Sequence, residues 1–409
     1  MKFRTSLKTC AFALATVAML AGSAVQSQAQ TPPKKYKIYL SMSYSGNGYQ
    51  TETSNLIKAL AATPPYDKLV DLKTVISGTD VQAQAAAYQS MVSAGADAII
   101  TFPISSTGLN RAIHEACEKH VLVYTYSATV TEPCARTVSY ITAGFAPNTA
   151  QWLVNKLNGK GNVFIDRGVA GNSVDKMNYD GAMSVFRKYP AIKIVAEYYG
   201  MWNSQTTQQE TAKALAAHPD VDAIFGENGE DGIVAAMLAS GQKKLVPVTG
   251  ENTNGFRLAL ANADLRKRGL DGISSGDPIN VSGYAFKLMM EELTGKRKVA
   301  VHNIEYPLPW VPADKVKVCT GDTFVNGCNA FPSTKVPDSF NTEVFDPVLT
   351  PELSLNSALH GTPTPGATIQ PLPANVVKAA PDVPGVNCQH CQAPADLFKL
   401  TKVSATVHP

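Results

Sequence analysis

The sequence predicts an α/β protein of two successive units, each a parallel sheet covered by helices, followed by a proline-rich C-terminal extension. Three observations predict this fold class. Segments typical of strands and helices alternate from Tyr36 onward, the alternation restarts after residues 138–141, and it fades beyond Pro309. Repeated strand–helix–strand order indicates parallel sheets with helices on both faces, because parallel strands need long crossover connections.

The first unit contains four strands and three helices. Runs of β-branched and aromatic residues predict the strands, and alanine-rich or amphipathic segments predict the helices. The strands are predicted over 37–43, 69–76, 96–102 and 121–126, and the helices over 51–62, 81–93 and 108–120. Asp80 stands directly before the second helix and is expected to cap it, since a carboxylate there accepts from free backbone N–H groups.

The second unit repeats the pattern after a short strand over 138–141. Its strands are predicted over 162–166, 192–198, 221–225, 245–249 and 270–274, and its helices over 148–157, 174–187, 206–217, 231–239, 254–263 and 281–293. Two units of similar size predict two lobes. The segments 143–148 and 274–279 contain glycine and proline and are candidate crossings between the lobes.

The C-terminal part of the chain differs from these units. Residues 311–409 hold 13 of the 26 prolines, and helical periodicity fades there. We interpret this segment as an extension that wraps the surface and is partly held by cysteines. A disordered tail is the alternative.

Composition and charge exclude several classes of protein. The chain has 409 residues, of which 44% are hydrophobic, and this apolar content excludes a wholly disordered protein. The formal net charge is +3, and it comes from the first thirty residues, which hold Lys2, Arg4 and Lys8 and no acid. A balanced remainder gives no electrostatic footprint for nucleic acid or for an anionic membrane surface.

The N-terminus is typical of a secretory signal. A cationic start precedes an apolar run, and Ser27-Gln28-Ala29 offers the small residues that a signal peptidase needs, so residues 1–29 are expected to be cleaved. Ser23 stands where a lipoprotein box would need cysteine, so the exported protein is not expected to be lipid-anchored. No later stretch approaches the length of a membrane span.

Cysteine usage agrees with export. Beyond Cys10, which would leave with the signal, the cysteines stand as neighbours: Cys117 with Cys134, Cys319 with Cys328, and Cys388 with Cys391. We expect structural disulfides in an oxidising compartment, although the sequence alone leaves the pairing open. The alternative, a redox or metal site at Cys388-Gln-His-Cys391, lacks a second pair of ligands.

Polar and aromatic residues follow the strands of both units. Ligands of doubly wound sheets bind at these carboxyl ends. Rings there would cover an apolar face of a ligand, and amides and carboxylates would bind its hydroxyls. Each residue alone is also ordinary turn chemistry, and the interpretation depends on recurrence in both units. No phosphate-binding loop occurs and Thr51 replaces the third glycine of a dinucleotide fingerprint, so we expect no cofactor and no metal.

One motif favours an enzyme. Gly272-Ile-Ser-Ser-Gly276 fits the G-x-S-x-G pattern of a hydrolase with Ser274 as nucleophile. Its partners would be Asp314 with His360 or His390, which fall in the irregular extension. We therefore expect no catalytic residues and keep a secreted serine hydrolase as an alternative.

The sequence resembles type I periplasmic solute-binding proteins of the ribose-binding-like sugar family over about residues 36–308. The resemblance is carried by the export signal, the loop 43–50, and the segments 94–100, 168–173 with Asp180-Gly181, and 216–225. It implies two Rossmann-like lobes joined by three hinge strands, closure on a ligand, and docking of the closed form on an ABC permease.

The resemblance also implies domain bounds and site residues. The N-terminal lobe would span 36–143, with 278–300 returning to it, the C-terminal lobe 144–275, and a hinge strand and extension 301–409. The implied ligand-binding residues are Ser43, Asn47, Tyr49, Gln50, Tyr126, Ser127, Lys176, Trp202, Asn228, Glu251 and Asp277. Trp202, Tyr49 and Tyr126 would sandwich the ligand.

This chain departs from the family pattern at several positions. Lys176 stands where the family places an arginine, and Glu251 stands where it places an aspartate. Ser127-Ala128 stands where sugar binders resembling ribose-binding protein place Asp-Arg, and it cannot form their bidentate bonds. A pyranose is therefore less favoured than another polyol, a glycoside or a different polar metabolite. We expect a monomeric periplasmic protein that delivers a small neutral ligand to an ABC importer. A sensor subunit that presents its ligand to a chemoreceptor or kinase is the alternative.

Overall fold

Two six-stranded sheets, one for each lobe, organise the chain. The computed structural model describes residues 35–140, 144–276, 278–321, 323–324 and 327–379. The expected signal peptide, the pair Cys388 and Cys391, and Asp277 lie outside these described residues. Within them the predicted fold class, two lobes with largely parallel sheets, is confirmed.

The sheet of the N-terminal lobe is parallel throughout. Its strands are β1 (Tyr36–Met42), β2 (Val70–Ile76), β3 (Ala98–Phe102), β4 (Leu122–Tyr126), β5 (Arg136–Ser139) and β11 (Asn303–Glu305), in the order β11-β5-β4-β3-β1-β2. All five residues of β3 are buried, as expected of a central strand covered on both faces.

The helices of this lobe are α1 (Gly48–Ala61), α2 (Tyr66–Leu69), α3 (Val81–Ser93), α4 (Asn110–Glu118) and α11 (Asn280–Leu293). The Asp80 carboxylate accepts from the Ala83 backbone N–H at 2.8 Å, so the predicted cap of α3 is confirmed. Although α11 follows the second unit in sequence, it packs against α1, β3 and β4.

The sheet of the C-terminal lobe has one antiparallel edge. Its strands are β6 (Gly161–Arg167), β7 (Ile192–Tyr199), β8 (Ala223–Phe225), β9 (Val248–Gly250), β10 (Gly272–Ser275) and β12 (Trp310–Pro312), in the order β12-β10-β9-β8-β6-β7. Only β12 runs antiparallel among these pairings. Its helices are α5 (Phe145–Lys156), α6 (Ser173–Phe186), α7 (Ser204–Ala217), α8 (Glu230–Ala239), α9 (Asn254–Ala261) and α10 (Ala263–Lys267).

One helix prediction was wrong in its extent. The predicted helix over 254–263 is divided into α9 and α10 at Asn262. The Asn262 side chain accepts from the backbone N–H groups of Asp264 and Leu265, which starts a new helix. An asparagine can serve as an N-cap in the middle of a helical pattern, and hydrophobic periodicity does not reveal this.

The chain passes between the two sheets three times. The crossings lie between β5 and α5, between β10 and α11, and between β11 and β12. The strands β11 and β12 have three residues each, too few for a periodic pattern, so the hinge strand that the resemblance implied within 301–409 could not be located from periodicity. They nevertheless attach the end of the two-lobed region to both sheets.

The residues after β12 continue over both lobes. They include a short 3-10 turn (Ala313–Lys315) and the helix α12 (Leu355–His360). Two of the expected disulfides are present, Cys117–Cys134 in the N-terminal lobe and Cys319–Cys328 in the extension.

Candidate functional site

A small cavity with a free volume of about 10 Å³ lies between the lobes, at the carboxyl ends of the strands. The N-terminal lobe lines it with Tyr44, Asn47, Tyr49 and Phe102, and the C-terminal lobe with Val174, Trp202, Asn228 and Glu251. This volume is far below the range of small-molecule sites, about 300–1,000 Å³, so the walls of the two lobes lie close together around it. Both lobes therefore contribute walls to one small compartment.

The loop after β1 supplies residues from the N-terminal lobe. Asn47 caps α1, where its side-chain oxygen accepts from the Gln50 backbone N–H at 2.9 Å. Its amide nitrogen donates to the Trp202 carbonyl at 3.4 Å, so this residue also connects the two lobes. The Tyr49 hydroxyl is hydrogen-bonded to the Ser127 hydroxyl. The contact with Trp202 holds the start of α1 against the opposite wall, and the contact with Ser127 holds its first turn within the N-terminal lobe.

Trp202 forms the main aromatic wall of the C-terminal lobe. It follows β7 with a φ of +52°, after Met201 with a φ of +61°. A left-handed backbone at two consecutive non-glycine residues is unfavourable and occurs mostly at functional sites. The indole is 8% exposed and lies nearly parallel to the Tyr44 ring, with centroids 6.5 Å apart and an interplanar angle of 23°.

The backbone beneath Trp202 is held by an ion pair. Arg167 at the end of β6 donates to the Asp175 carboxylate through two nitrogens, at 3.1 and 2.7 Å. Asp175 also accepts from the Gly168 backbone N–H at 3.0 Å. A side chain at Gly168 would collide with the indole, because its Cβ would approach ring atoms of Trp202 more closely than 3.0 Å. The indole therefore packs directly on this glycine.

Asn228 and Glu251 form the polar wall. They follow β8 and β9, and the Asn228 amide donates to one Glu251 oxygen at 2.7 Å. The Tyr140 hydroxyl, from the first crossing, donates to the other oxygen at 3.4 Å. A carboxylate oriented by an amide and a phenol is a strong acceptor for ligand hydroxyl groups.

Buried carboxyl groups surround this wall. Burial raises the pKa of Glu230 to about 8 and raises the pKa of Glu227 well above its usual range. Burial also raises the pKa of Asp166, and the charge of Glu230 adds to this shift. With a pKa of about 8, Glu230 carries a proton at neutral pH. The C-terminal wall is therefore less negative than its count of acidic residues suggests.

The structure brings five of the expected ligand-binding residues into the cavity wall: Asn47, Tyr49, Trp202, Asn228 and Glu251. Four others are buried behind that wall: Ser43, Gln50, Tyr126 and Ser127. Neither polar atom of the Gln50 amide, nor the Ser43 hydroxyl, has a hydrogen-bond partner among the described residues. The polar groups of Gln50 and Ser43 could therefore form hydrogen bonds to a ligand without breaking an existing bond to the protein.

Lys176 lies elsewhere. Its side chain is 73% exposed, forms an ion pair with Asp180 one turn further along α6, and borders a separate surface cleft with His302. An arginine-like role inside the cavity does not agree with this placement.

Sequence analysis did not include three residues of the cavity wall: Tyr44, Phe102 and Val174. Tyr44 directly follows a predicted strand and Phe102 ends another, so their positions could have identified them as residues of the site. Val174 carries no chemical signature, because an aliphatic residue in the first turn of a helix is usually ordinary packing.

The hydrolase alternative finds no support at Ser274. This residue lies inside β10 and is fully buried, whereas a nucleophile elbow places its serine on an exposed turn. Its hydroxyl donates to the Glu251 carbonyl at 3.0 Å and accepts from Arg257 at 2.9 Å. The partners of the Ser274 hydroxyl are therefore a backbone carbonyl and a guanidinium, neither of which can act as a general base.

The described part of the chain contains no group of three or more His, Cys, Asp or Glu side chains that could hold a metal ion. None of its helices has the length and apolar character needed to cross a membrane.

Comparison with known proteins gives consistent matches. Residues 38–297 match the profile of the periplasmic binding protein domain family. The xylitol-binding protein of Mycolicibacterium smegmatis is 26% identical over 209 residues, which is 50% of this chain and 56% of that protein, so the match spans little more than half of the relative.

Solved structures share the fold. One is a periplasmic solute-binding protein of an ABC transporter from Actinobacillus succinogenes with bound D-allose, with a TM-score of 0.58, 20% identity, and coverage of 69% of this chain and 99% of that one. Another is an ABC transporter solute-binding protein from Thermobispora bispora, with a TM-score of 0.61, 23% identity, and coverage of 82% and 98%.

Proposed function

Because the chain belongs to the periplasmic binding protein domain family, we propose that it captures a small sugar or sugar alcohol between its lobes for an ABC importer. The cavity lined by both lobes is the observation that carries this proposal. The xylitol-binding relative and the D-allose complex support the chemical class of the ligand.

The cavity wall suits a polyhydroxylated molecule. The rings of Tyr44 and Trp202 offer apolar faces to C–H groups, and Asn47, Asn228 and Glu251 offer amides and a carboxylate to hydroxyls. No Lys or Arg side chain is among the cavity-lining residues. This combination favours a neutral ligand over an anionic one.

The volume of the cavity does not select the ligand. The free volume of about 10 Å³ in the observed arrangement has room for roughly one water molecule. A polyol can therefore enter only if the lobes separate or the ring walls move, so the ligand class rests on the chemistry of the wall and not on its volume. We propose that Gln50 and Ser43 then supply additional hydrogen bonds, since their buried polar atoms have no partner among the described residues.

Lobe closure would link binding to transport. Asn47 and Tyr140 contact residues of the C-terminal lobe, so the observed arrangement is a closed one. A ligand that contacts both walls binds the closed form more tightly and shifts the population toward it. We propose that the periplasmic protein, exported by residues 1–29, presents this form to the permease as a monomer.

The test is a binding screen on protein purified from the periplasm of an expression host. Xylitol, D-allose, myo-inositol, amino acids and nucleosides are compared by thermal shift and isothermal titration calorimetry. A sugar or polyol at one hundred times its Kd should stabilise the protein by about 2.7 kcal/mol, with saturation at one ligand per chain. Saturable binding of only amino acids or nucleosides would reject the ligand class, and no binding across the panel would reject the proposed function.

A further inference from the structure

The extension after β12 contacts both lobes over a short stretch. Residues 338–344, here called the strap, lie between the N-terminal ends of α1 and α9. The side chains of Phe340 and Val344 are buried in the same hydrophobic cluster as residues of both lobes. The strap is therefore part of the packed interior.

The strap is anchored on the C-terminal lobe at the start of α9. The backbone N–H groups of Asn254 and Gly255 donate to the carbonyls of Phe340 and Asp338, at 2.7 and 2.8 Å. The fully buried Arg257 donates to the Glu343 carboxylate at 2.5 Å. A buried guanidinium requires this acid, since an unpaired charge there would be costly.

The same stretch is anchored on the N-terminal lobe at the start of α1. The Asn341 backbone N–H donates to both oxygens of the Glu52 carboxylate, at 3.0 and 3.2 Å. The Ser339 carbonyl approaches Gly48 so closely that a Cβ at that glycine would lie 2.5 Å from its oxygen. The first turn of α1, which carries Tyr49 and Gln50, therefore rests on the strap.

The anchors alternate along the strap. Residues 338 and 340 bond the C-terminal lobe, 341 bonds the N-terminal lobe, and Thr342 donates to the Asn252 carbonyl of the C-terminal lobe at 3.0 Å. The Asn280 N–H, at the second crossing, donates to the Glu343 carbonyl at 3.2 Å. If the lobes separate as rigid bodies, contacts within the strap must stretch or break, because the backbone of the strap cannot move with both lobes at once.

We propose that the strap is a fourth connection between the lobes and limits how far they open. It differs from the three crossings in that it joins the lobes through hydrogen bonds and buried side chains. The strap keeps the ligand-free protein near the closed arrangement, which lowers the conformational cost of binding. This inference does not depend on the identity of the ligand.

The first test removes the anchor on the N-terminal lobe. Glu52→Ala deletes the acceptor of the Asn341 N–H, Glu52→Gln retains an acceptor of the same size, and Glu118→Ala removes an exposed glutamate. Small-angle X-ray scattering without ligand measures the radius of gyration, about 21 Å for a compact chain of this length. Glu52→Ala should increase it by on the order of 1 Å, and neither control should change it. An unchanged radius in a folded Glu52→Ala protein would overturn the proposal.

The second test begins with the unmodified chain, whose own result does not depend on how well a variant folds, and then compares it with Glu52→Ala. Hydrogen exchange of peptides that cover 338–344 is measured without ligand. The Asn341 amide should be protected in the unmodified chain and should exchange about tenfold faster in Glu52→Ala, the effect of losing one charge-assisted hydrogen bond. Exchange in the unmodified chain as fast as in an exposed loop would show that the strap is released and would overturn the proposal. Both measurements are made without ligand, so failure of the binding screen leaves them interpretable.

Discussion

Gly168→Ala is expected to weaken ligand binding through Trp202, although the substitution adds a single methyl group. The indole packs directly on this glycine, and a Cβ would lie closer than 3.0 Å to three of its ring atoms. Ordinary van der Waals contact begins near 3.4 Å, so the ring must move by roughly 1 Å. Because Trp202 is a wall of the cavity and faces Tyr44, this displacement changes the space offered to the ligand.

The magnitude follows from overpacking. Insertion of a methyl group into a well-packed region costs about 1–3 kcal/mol. If the ligand requires the observed ring position, an equal loss of binding free energy raises Kd by about 5- to 150-fold. Trp202→Ala, which removes the ring altogether, should cost about 2 kcal/mol or more, a rise in Kd of about 30-fold.

The assay is a double-mutant cycle measured by isothermal titration calorimetry with the ligand found in the screen. Gly168→Ala should have little further effect in a Trp202→Ala background, because the ring with which it collides is gone. Gly321→Ala serves as the control, since a Cβ there has no neighbour within 4 Å. Wild-type affinity in both Gly168→Ala and Trp202→Ala would refute the reasoning, because it would show that the indole does not contact the ligand.

Three further predictions concern stability. The pKa of Glu230 is about 8 in the folded protein against an ordinary value of 4.5, so its contribution to the free energy of unfolding is complete below about pH 4.5 and is lost as pH rises toward 8. Denaturant unfolding from pH 5 to 8 measures how steeply the free energy of unfolding falls with pH. In Glu230→Gln this fall should be shallower by up to about 1.4 kcal/mol per pH unit. Replacing both Cys117 and Cys134 by serine should cost about 3 kcal/mol by chain entropy, and equal melting temperatures with and without the disulfide would contradict this. Glu352→Gln should destabilise by about 3–5 kcal/mol, because it leaves the ammonium of Lys287 buried without a counter-charge, whereas replacing both residues by apolar ones should cost less.

Much of the fold was predictable because its signals are local. The helix α3 begins and ends where the sequence predicts, since Asp80 provides the cap and an alanine-rich run, which favours a helix, follows it. The strand β3 is apolar except at Thr101, and all of its residues are buried. Hydrophobic pattern and capping chemistry act over a few residues, so they can be identified without the rest of the molecule.

The candidate site was predictable only in part. Asn47 and Trp202 were expected from their positions after strands, but their contact joins residues 155 positions apart. Lys176 was expected at the ligand and instead pairs with Asp180, one turn away on the same helix. A lysine can pair with an acid one turn away on its own helix or reach into the cavity, and only the orientation of α6 decides which of these occurs.

Local sequence determined the α/β class, the two units and the strand ends where the cavity-lining residues lie, because periodicity and turn chemistry involve neighbours along the chain. Tertiary structure decided which of those strand ends face each other across one cavity, that the indole of Trp202 rests on Gly168, and that a segment without periodicity, 338–344, joins both lobes. The strap shows no helix or strand period because successive residues bond to different lobes, and its conformation therefore depends on partners far away in sequence.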